Sequence, residues 1–186
     1  MMADDFDACL DFTLREEGGF CDNPDDPGGA TCHGITLATL RHWADDPGLG
    51  VDAVRNIPIG TCRAIYRTDY WNRMRCDAVP AGIDLMLFDH GVNAGSARSA
   101  RILQQAMGFS ATECDGSVGP VTIGAADKAD PRTLIDRMAD LQAAYYRRLP
   151  TFAEFGRGWL ARTDRRHQAA LAMLGHPAAP GPAPVA

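Results

Sequence analysis

The sequence predicts a mainly α fold with one small β-hairpin, from three observations. Apolar residues recur at three- and four-residue intervals through most of the chain. No stretch alternates apolar and polar residues over several positions outside the segment from Phe20 to Thr36. That segment gathers Asn23-Pro24, Asp26-Pro27 and Gly28-Gly29, pairs that turn the chain and cannot continue a helix. At 186 residues the chain is long enough to bury a core without disulfide or metal staples.

The elements follow in order. Asp4 and Asp5 can cap a first helix whose apolar positions are Phe6, Cys9, Leu10 and Leu14; Glu16 and Glu17 lie in its last turn, and Gly18-Gly19 stops it. The turn-rich segment then carries the hairpin. Thr36 caps a helix through Leu37, Leu40 and Trp43 that ends near Asp46-Pro47-Gly48. A helix from about Gly60 or Thr61 carries Ile65, Tyr66, Tyr70 and Trp71. From Gly82 toward Asn93 runs a helix apolar around most of its circumference, the mark of a central element. Helices over 96–107, from Pro120 or Val121 to Asp127, over 131–149 and over 156–174 complete the fold. Residues 175–186, almost all Pro, Ala, Gly and Val, read as a disordered tail.

Composition excludes several classes. Hydrophobic residues at 46% and charged residues at 23% fit a globular chain rather than a disordered one. The net charge of −6 disfavours a nucleic-acid partner. Residues 1–60 hold 12 of the 24 acids and only 3 of the 18 bases, so the remainder is mildly basic, which suits an anionic polymer or simply gives solvated faces of unequal sign. No apolar run reaches membrane-spanning length, so stable membrane insertion is not expected. The start Met1-Met2-Ala3-Asp4-Asp5 shows no basic, apolar leader, which predicts synthesis in the cytoplasm and export by other machinery for any extracellular task. Six cysteines lack CxxC spacing; Cys9 and Cys62 fall at apolar helix positions as buried thiols, a Cys21–Cys32 bridge across the hairpin stays open, and a zinc site around Cys32 and His33 lacks the ligand spacing. No metal or cofactor is expected.

The chemistry concentrates at Glu17. Phe6, Leu10, Leu14 and Glu17 step by three or four residues, which sets this carboxyl at the end of the buried stripe while Glu16 points elsewhere. Carboxylates are disfavoured at the negative end of a helix dipole. Burial and helix terminus together predict a raised pKa, the property of a general acid; a solvated helix-end residue is the alternative. Asp25 and Asp26 lie in the turn-rich segment, where either can form a turn by bonding nearby backbone amides.

Glu17-Gly18-Gly19-Phe20, Asp26-Pro27-Gly28-Gly29, Thr31 and Gly34-Ile35-Thr36 resemble the N-terminal signature of the glycoside hydrolase family 108 muramidases. Tyr66-Arg67, Tyr70-Trp71, Phe88-Asp89, Asn93-Ala94-Gly95, Leu103-Gln104-Gln105, Asp115-Gly116, Gly119-Pro120 and Gly158-Trp159-Leu160 with Arg162 are similar to the predicted peptidoglycan-binding region that follows in those proteins. The resemblance implies a lysozyme-like α+β fold, a catalytic lobe over 1–75 and a helical lobe over 76–174. It implies cleavage of the β-1,4 bond between N-acetylmuramic acid and N-acetylglucosamine, by an endolysin released by a holin or by a secretion-system accessory, working as a monomer on periplasmic wall. Glu17 maps onto the family's acid, Asp26 onto its Asp before Pro-Gly-Gly with Asp25 as competitor, and Thr31, with Thr36 as alternative, onto the water-holding threonine of phage lysozymes, whose inverting outcome is expected here too. Candidate sugar contacts are His33, Tyr70, Trp71 and Asn93; Tyr70 and Trp71 are equally good core residues, and Asn93 an equally good cap. His90 reads as a satisfied interior histidine, and Arg157, Arg162, Arg165 and Arg166 as a solvated face or as contacts for wall carboxylates. A lytic transglycosylase and a non-catalytic wall-binding protein are the competing functions.

Overall fold

The computed structural model describes residues 5–22 and 29–175. Asp25 and Asp26 lie outside the described residues, as does the predicted tail beyond Gly175. Nine α-helices and one two-stranded antiparallel sheet make up the described part.

Helix α1, Phe6–Glu17, buries Phe6, Cys9, Leu10 and Phe12, and Gly18 ends it at φ +74, a backbone angle that favours glycine. Strands β1, Thr31–Cys32, and β2, Ile35–Thr36, pair Thr31 with Thr36 and Cys32 with Ile35. The two residues between them, His33 and Gly34, both have positive φ (51 and 75), the geometry of a tight hairpin whose twist matches its strands. Thr36 then caps α2, Leu37–Ala44, its hydroxyl accepting the Thr39 N–H at 3.0 Å.

Three elements were not visible in the sequence: a short third helix, a π-helical turn and a 3-10 turn. A short α3, Val51–Arg55, seals the hairpin side with Val54. Helix α4, Ile59–Tyr66, runs directly into a π-helical turn over Arg67–Asn72 and, further on, a 3-10 turn over Cys76–Ala78. The wider π turn swings Trp71 inward. Its ring meets Phe6 at 5.3 Å and Phe88 at 5.4 Å edge-on, and no part of it reaches solvent.

Helix α5, Ile83–Ala94, is the centre: Ile83 through Gly91 are all buried, and α1, α6, α8 and α9 pack around it. Around it stand α6, Ser96–Ala106, and α7, Pro120–Ala126. The long hairpin of α8, Pro131–Arg147, and α9, Phe152–Met173, completes the bundle, with α9 starting a turn earlier than the sequence predicts. Gln104 on α6 ties down the turn before α7, donating to Asp115 at 2.7 Å and to the Ser117 carbonyl at 3.0 Å while accepting the Gly116 N–H at 3.0 Å.

All six cysteines are free thiols, so the hairpin carries no Cys21–Cys32 bridge, and Cys9 and Cys62 are buried as the periodicity predicts. Among the described residues no helix is long and apolar enough to cross a membrane, and no group of three or more candidate metal ligands occurs.

The first turn of α5 holds a buried carboxyl. Asp84 accepts backbone N–H groups from Gly82 at 2.8 Å and Leu85 at 2.7 Å, yet burial outweighs these bonds and pushes its pKa up to about 7. A folded value above the unfolded value, roughly 3.9 for Asp, means the folded state holds the proton longer. This contribution to stability is present below pH ~4 and is lost as pH rises through about 7. Asp84→Asn keeps the accepting oxygen and removes the titration. Thermal unfolding from pH 5 to 8 should therefore fall with pH in the parent and fall less in the variant; parallel curves would contradict the assignment.

Candidate active site

The central helix creates the problem that the site solves. Asp89 sits fully buried in α5 among Leu87, Phe88 and His90. An uncompensated carboxylate there costs several kcal/mol, more than the roughly 1.5–3 kcal/mol gained by burying an apolar neighbour, so the helix requires cationic partners. They come from α9. Arg162 donates to Asp89 from Nε at 3.1 Å and from Nη2 at 2.7 Å, and Arg166 donates from Nε at 2.6 Å. Thr13 on α1 adds a hydroxyl donor at 2.9 Å. Burial raises the Asp89 pKa, but Arg166 and Arg162 prevail and hold it at about 2.

Glu17 is the outer end of the same network. Arg162 Nη2 also donates to Glu17 Oε1 at 2.8 Å, so one guanidinium bridges the buried carboxylate of α5 and the half-buried carboxyl ending α1. The Glu17 side chain keeps 19% exposure, enough for one face to meet a ligand. Glu16 does not point away: Arg165 grips it with bonds of 2.7 and 2.6 Å. Both acids at the negative end of α1 are thus answered by arginines from α9, and the electrostatic oddity read from the sequence has a partner 145 residues away. The sequence shows the partial burial and the helix terminus at Glu17 but not this ion pair.

The hairpin closes over the glutamate. A Cβ added to Gly34 would meet the Tyr66 hydroxyl at 2.5 Å and Glu17 Oε2 at 2.9 Å, so the turn rests against the catalytic candidate. Tyr66, buried, donates its hydroxyl to the His33 carbonyl at 2.8 Å and fixes the turn. Burial, together with the charge of Glu17, pushes the Tyr66 phenol up, which keeps it a donor.

The predicted site residues divide as follows. Glu17 and His33 lie together, His33 through the backbone of the turn, and Thr31 is half-buried in β1 opposite Thr36. Thr36 serves as the α2 cap. Tyr70 is half-buried, 5.6 Å from the Tyr66 ring, and its phenol is raised by burial, then by Asp69 and Glu17. Trp71 is core, not a surface platform, because the π turn points it inward. Asn93 is exposed and caps nothing; its Oδ1 accepts the Tyr146 hydroxyl at 2.5 Å. His90 is interior but unsatisfied, neither ring nitrogen finding a partner among the described residues, and burial lowers its pKa. Arg162 and Arg166 are buried, so the solvated-face reading fails for those two, whereas Arg157 and Arg165 are exposed and Arg165 pairs with Glu16 at the surface. A cavity of about 480 Å³ between Arg73–Arg75 and Asp115–Gly119 contains none of Glu17's partners.

Sequence reasoning missed the roles of Asp89, Arg162, Arg166 and Tyr66. A signal existed: an aspartate inside an otherwise apolar helix demands a cation, and Arg162 and Arg166 stand four residues apart on one helix face.

A helical bundle around an apolar central helix, with a hairpin folded onto a helix-terminal glutamate, defines a lysozyme-like protein of the peptidoglycan-hydrolase class. Residues 10–95 match the family model Glycosyl hydrolase 108, and residues 98–164 match the model described as Predicted Peptidoglycan domain. The structure of Brucella abortus SagA is similar at 36% identity and a TM-score of 0.79, the match covering 90% of this chain and 94% of that one. No curated protein sequence matches. The chain belongs to the glycosyl hydrolase 108 family and is a glycoside hydrolase that acts on peptidoglycan.

The geometry makes Arg162 a positioning residue for Glu17. Arg162→Lys keeps the charge but cannot span both carboxylates. The expected result is a fall in kcat of about 10- to 100-fold with a smaller change in KM, since misplacement by about 1 Å is enough for such a loss. An unchanged kcat would remove Arg162 from the positioning of Glu17.

Proposed function

We propose that this enzyme is an N-acetylmuramidase, hydrolysing the β-1,4 bond between N-acetylmuramic acid and N-acetylglucosamine, with Glu17 as the acid. The observation that carries this reading is the setting of Glu17: Oε1 is held by Arg162, Oε2 lies against the hairpin turn, and the side chain stays open to solvent on one face. A carboxyl fixed on one oxygen presents the other to a leaving group in a defined direction.

In this mechanism Glu17 protonates the glycosidic oxygen as the bond breaks. Asp26 supports the oxocarbenium-like sugar or activates the attacking water, and Thr31 helps to hold that water. Attack from the face opposite the leaving group inverts the anomeric carbon. Residues 1–75 form the catalytic lobe and residues 76–174 the helical lobe that holds the wall. The biological role is lysis of the cell wall in the periplasm by a monomeric endolysin reaching its substrate through a holin or a secretion system.

Two variants test the roles. Glu17→Gln is isosteric and cannot donate the proton, so clearing of permeabilised cells should slow by about 10²- to 10⁴-fold; lysis at the parent rate would end the assignment. Products of the parent should carry reducing N-acetylmuramic acid by mass spectrometry, whereas anhydromuramic ends alone would identify a lytic transglycosylase. Asp26→Asn should give a severe but less complete loss in the same turbidity assay, and full activity would return the second-carboxylate role to Asp25.

A further inference from the structure

The aromatic residues the sequence offers as a sugar platform are taken up elsewhere: Trp71 is core, and Tyr70 leans on Tyr66. A different pair is available. On α9, Phe155, Trp159, Arg162 and Arg166 succeed one another by four, three and four residues, which places them along one face of the helix. Arg162 holds Glu17, so Trp159 stands about one turn, and Phe155 about two turns, from the arginine that holds the acid. Phe155 is 48% exposed, and its ring lies 5.7 Å from that of Trp159 at a tilt of 40°. The two rings together offer an apolar surface on the helix face that leads to Arg162.

The pair is preorganised from behind. Trp159 is stacked on buried Tyr146, with ring centroids 5.3 Å apart and planes within 24°. Tyr146 is fixed in turn by its hydroxyl bond to Asn93 Oδ1. That bond uses the carbonyl end of the Asn93 amide and leaves Nδ2 on an exposed side chain to donate outward. Flat rings beside an outward amide donor suit a β-linked N-acetylhexosamine, which offers an apolar C–H face to the rings and an acetamido carbonyl to the donor. A stem peptide has neither feature in that combination. On α5, Asn93 lies one turn beyond Asp89, so helices α5 and α9 carry both features outward from the same charge network.

We propose that Phe155 and Trp159, with the Asn93 amide, form a saccharide subsite that holds the glycan strand beside Glu17; this rests on the glycan-cleavage reading above. Each ring takes one face of a sugar, and the amide selects the N-acetyl group.

The test reads binding, not turnover, so it separates the subsite from the muramidase assignment. The full chain carrying Glu17→Gln is titrated with peptide-free β-1,4-linked N-acetylglucosamine hexamer, by calorimetry and by tryptophan fluorescence. Of the three tryptophans, Trp71 is sealed in the core, so a signal reports Trp43 or Trp159. We expect hexamer binding with a fluorescence change, loss of that change in Trp159→Phe with affinity nearly kept, and about three- to tenfold weaker binding in Phe155→Ala, restored in Phe155→Tyr. Asn93→Asp, which replaces the donor by an acceptor, should weaken the N-acetylated hexamer and leave its de-N-acetylated counterpart less affected. No hexamer binding by the Glu17→Gln chain, unchanged affinity in Phe155→Ala, or a fluorescence change that survives Trp159→Phe would each overturn the subsite. Normal binding alongside a parent enzyme that releases no reducing muramic acid would instead overturn the muramidase reading and leave the subsite standing.

Discussion

The buried carboxylate of Asp89 is the constraint on which the rest of the structure depends. It is placed where solvent cannot reach it, and its partners are drawn from two other helices: Thr13 from α1 and Arg162 and Arg166 from α9, with its own helix α5 as the axis. Gln142 of α8 extends the cluster, accepting from Arg166 at 2.6 Å and donating to the Met86 carbonyl at 2.9 Å. Such a cluster gives little net stability compared with apolar packing, but it penalises any arrangement that leaves one charge alone. It therefore acts on register: α9 can dock on α5 in the position that brings both arginines to Asp89, and a slip of one turn strands buried charge.

That register is also what builds the candidate site. With Arg162 committed to Asp89, its second Nη2 bond reaches the end of α1 and fixes Glu17. The two matched regions are therefore joined through this charge network. Glu17 and Asp89 lie in the segment matching the glycosyl hydrolase model, whereas Arg162 and Arg165, which hold both acids at the end of α1, sit within or at the boundary of the peptidoglycan-domain match. Separating the segments would remove the cation from the acid. Helix α1 would then end in two adjacent carboxylates at the unfavourable pole of its dipole.

Much of the architecture is legible locally. The Gly18 stop, the Thr36 cap and the sealed character of α5 each follow from a few neighbouring residues, because capping and periodicity are short-range effects. The failures share a cause as well. Tyr66 and Tyr70 are spaced for one helical face and Trp71 falls about 100° further round, but the π turn over Arg67–Asn72 changes the angular step, so Trp71 joins Tyr66 in the core while Tyr70 stays half-buried. The arginines of α9 read as surface charge because their partners are 73 to 149 residues distant. Spacing along one helix shows which face a residue occupies; it does not show that another helix carries a buried charge to meet it.

Gly34 shows the same distinction at the scale of a single residue. A two-residue hairpin with positive φ at both positions tolerates Asn as well as Gly, so turn geometry by itself does not require glycine there. Crowding does. The space a Cβ would fill is already held by the Tyr66 hydroxyl and by Glu17, and Tyr66 cannot retreat without releasing the His33 carbonyl that anchors the turn. A side chain at this position would press on the acid itself or on the phenol that fixes the hairpin. The glycine is thus dictated from outside its own turn, by the close approach that lets a hairpin, a helix end and a distant arginine converge on one carboxyl.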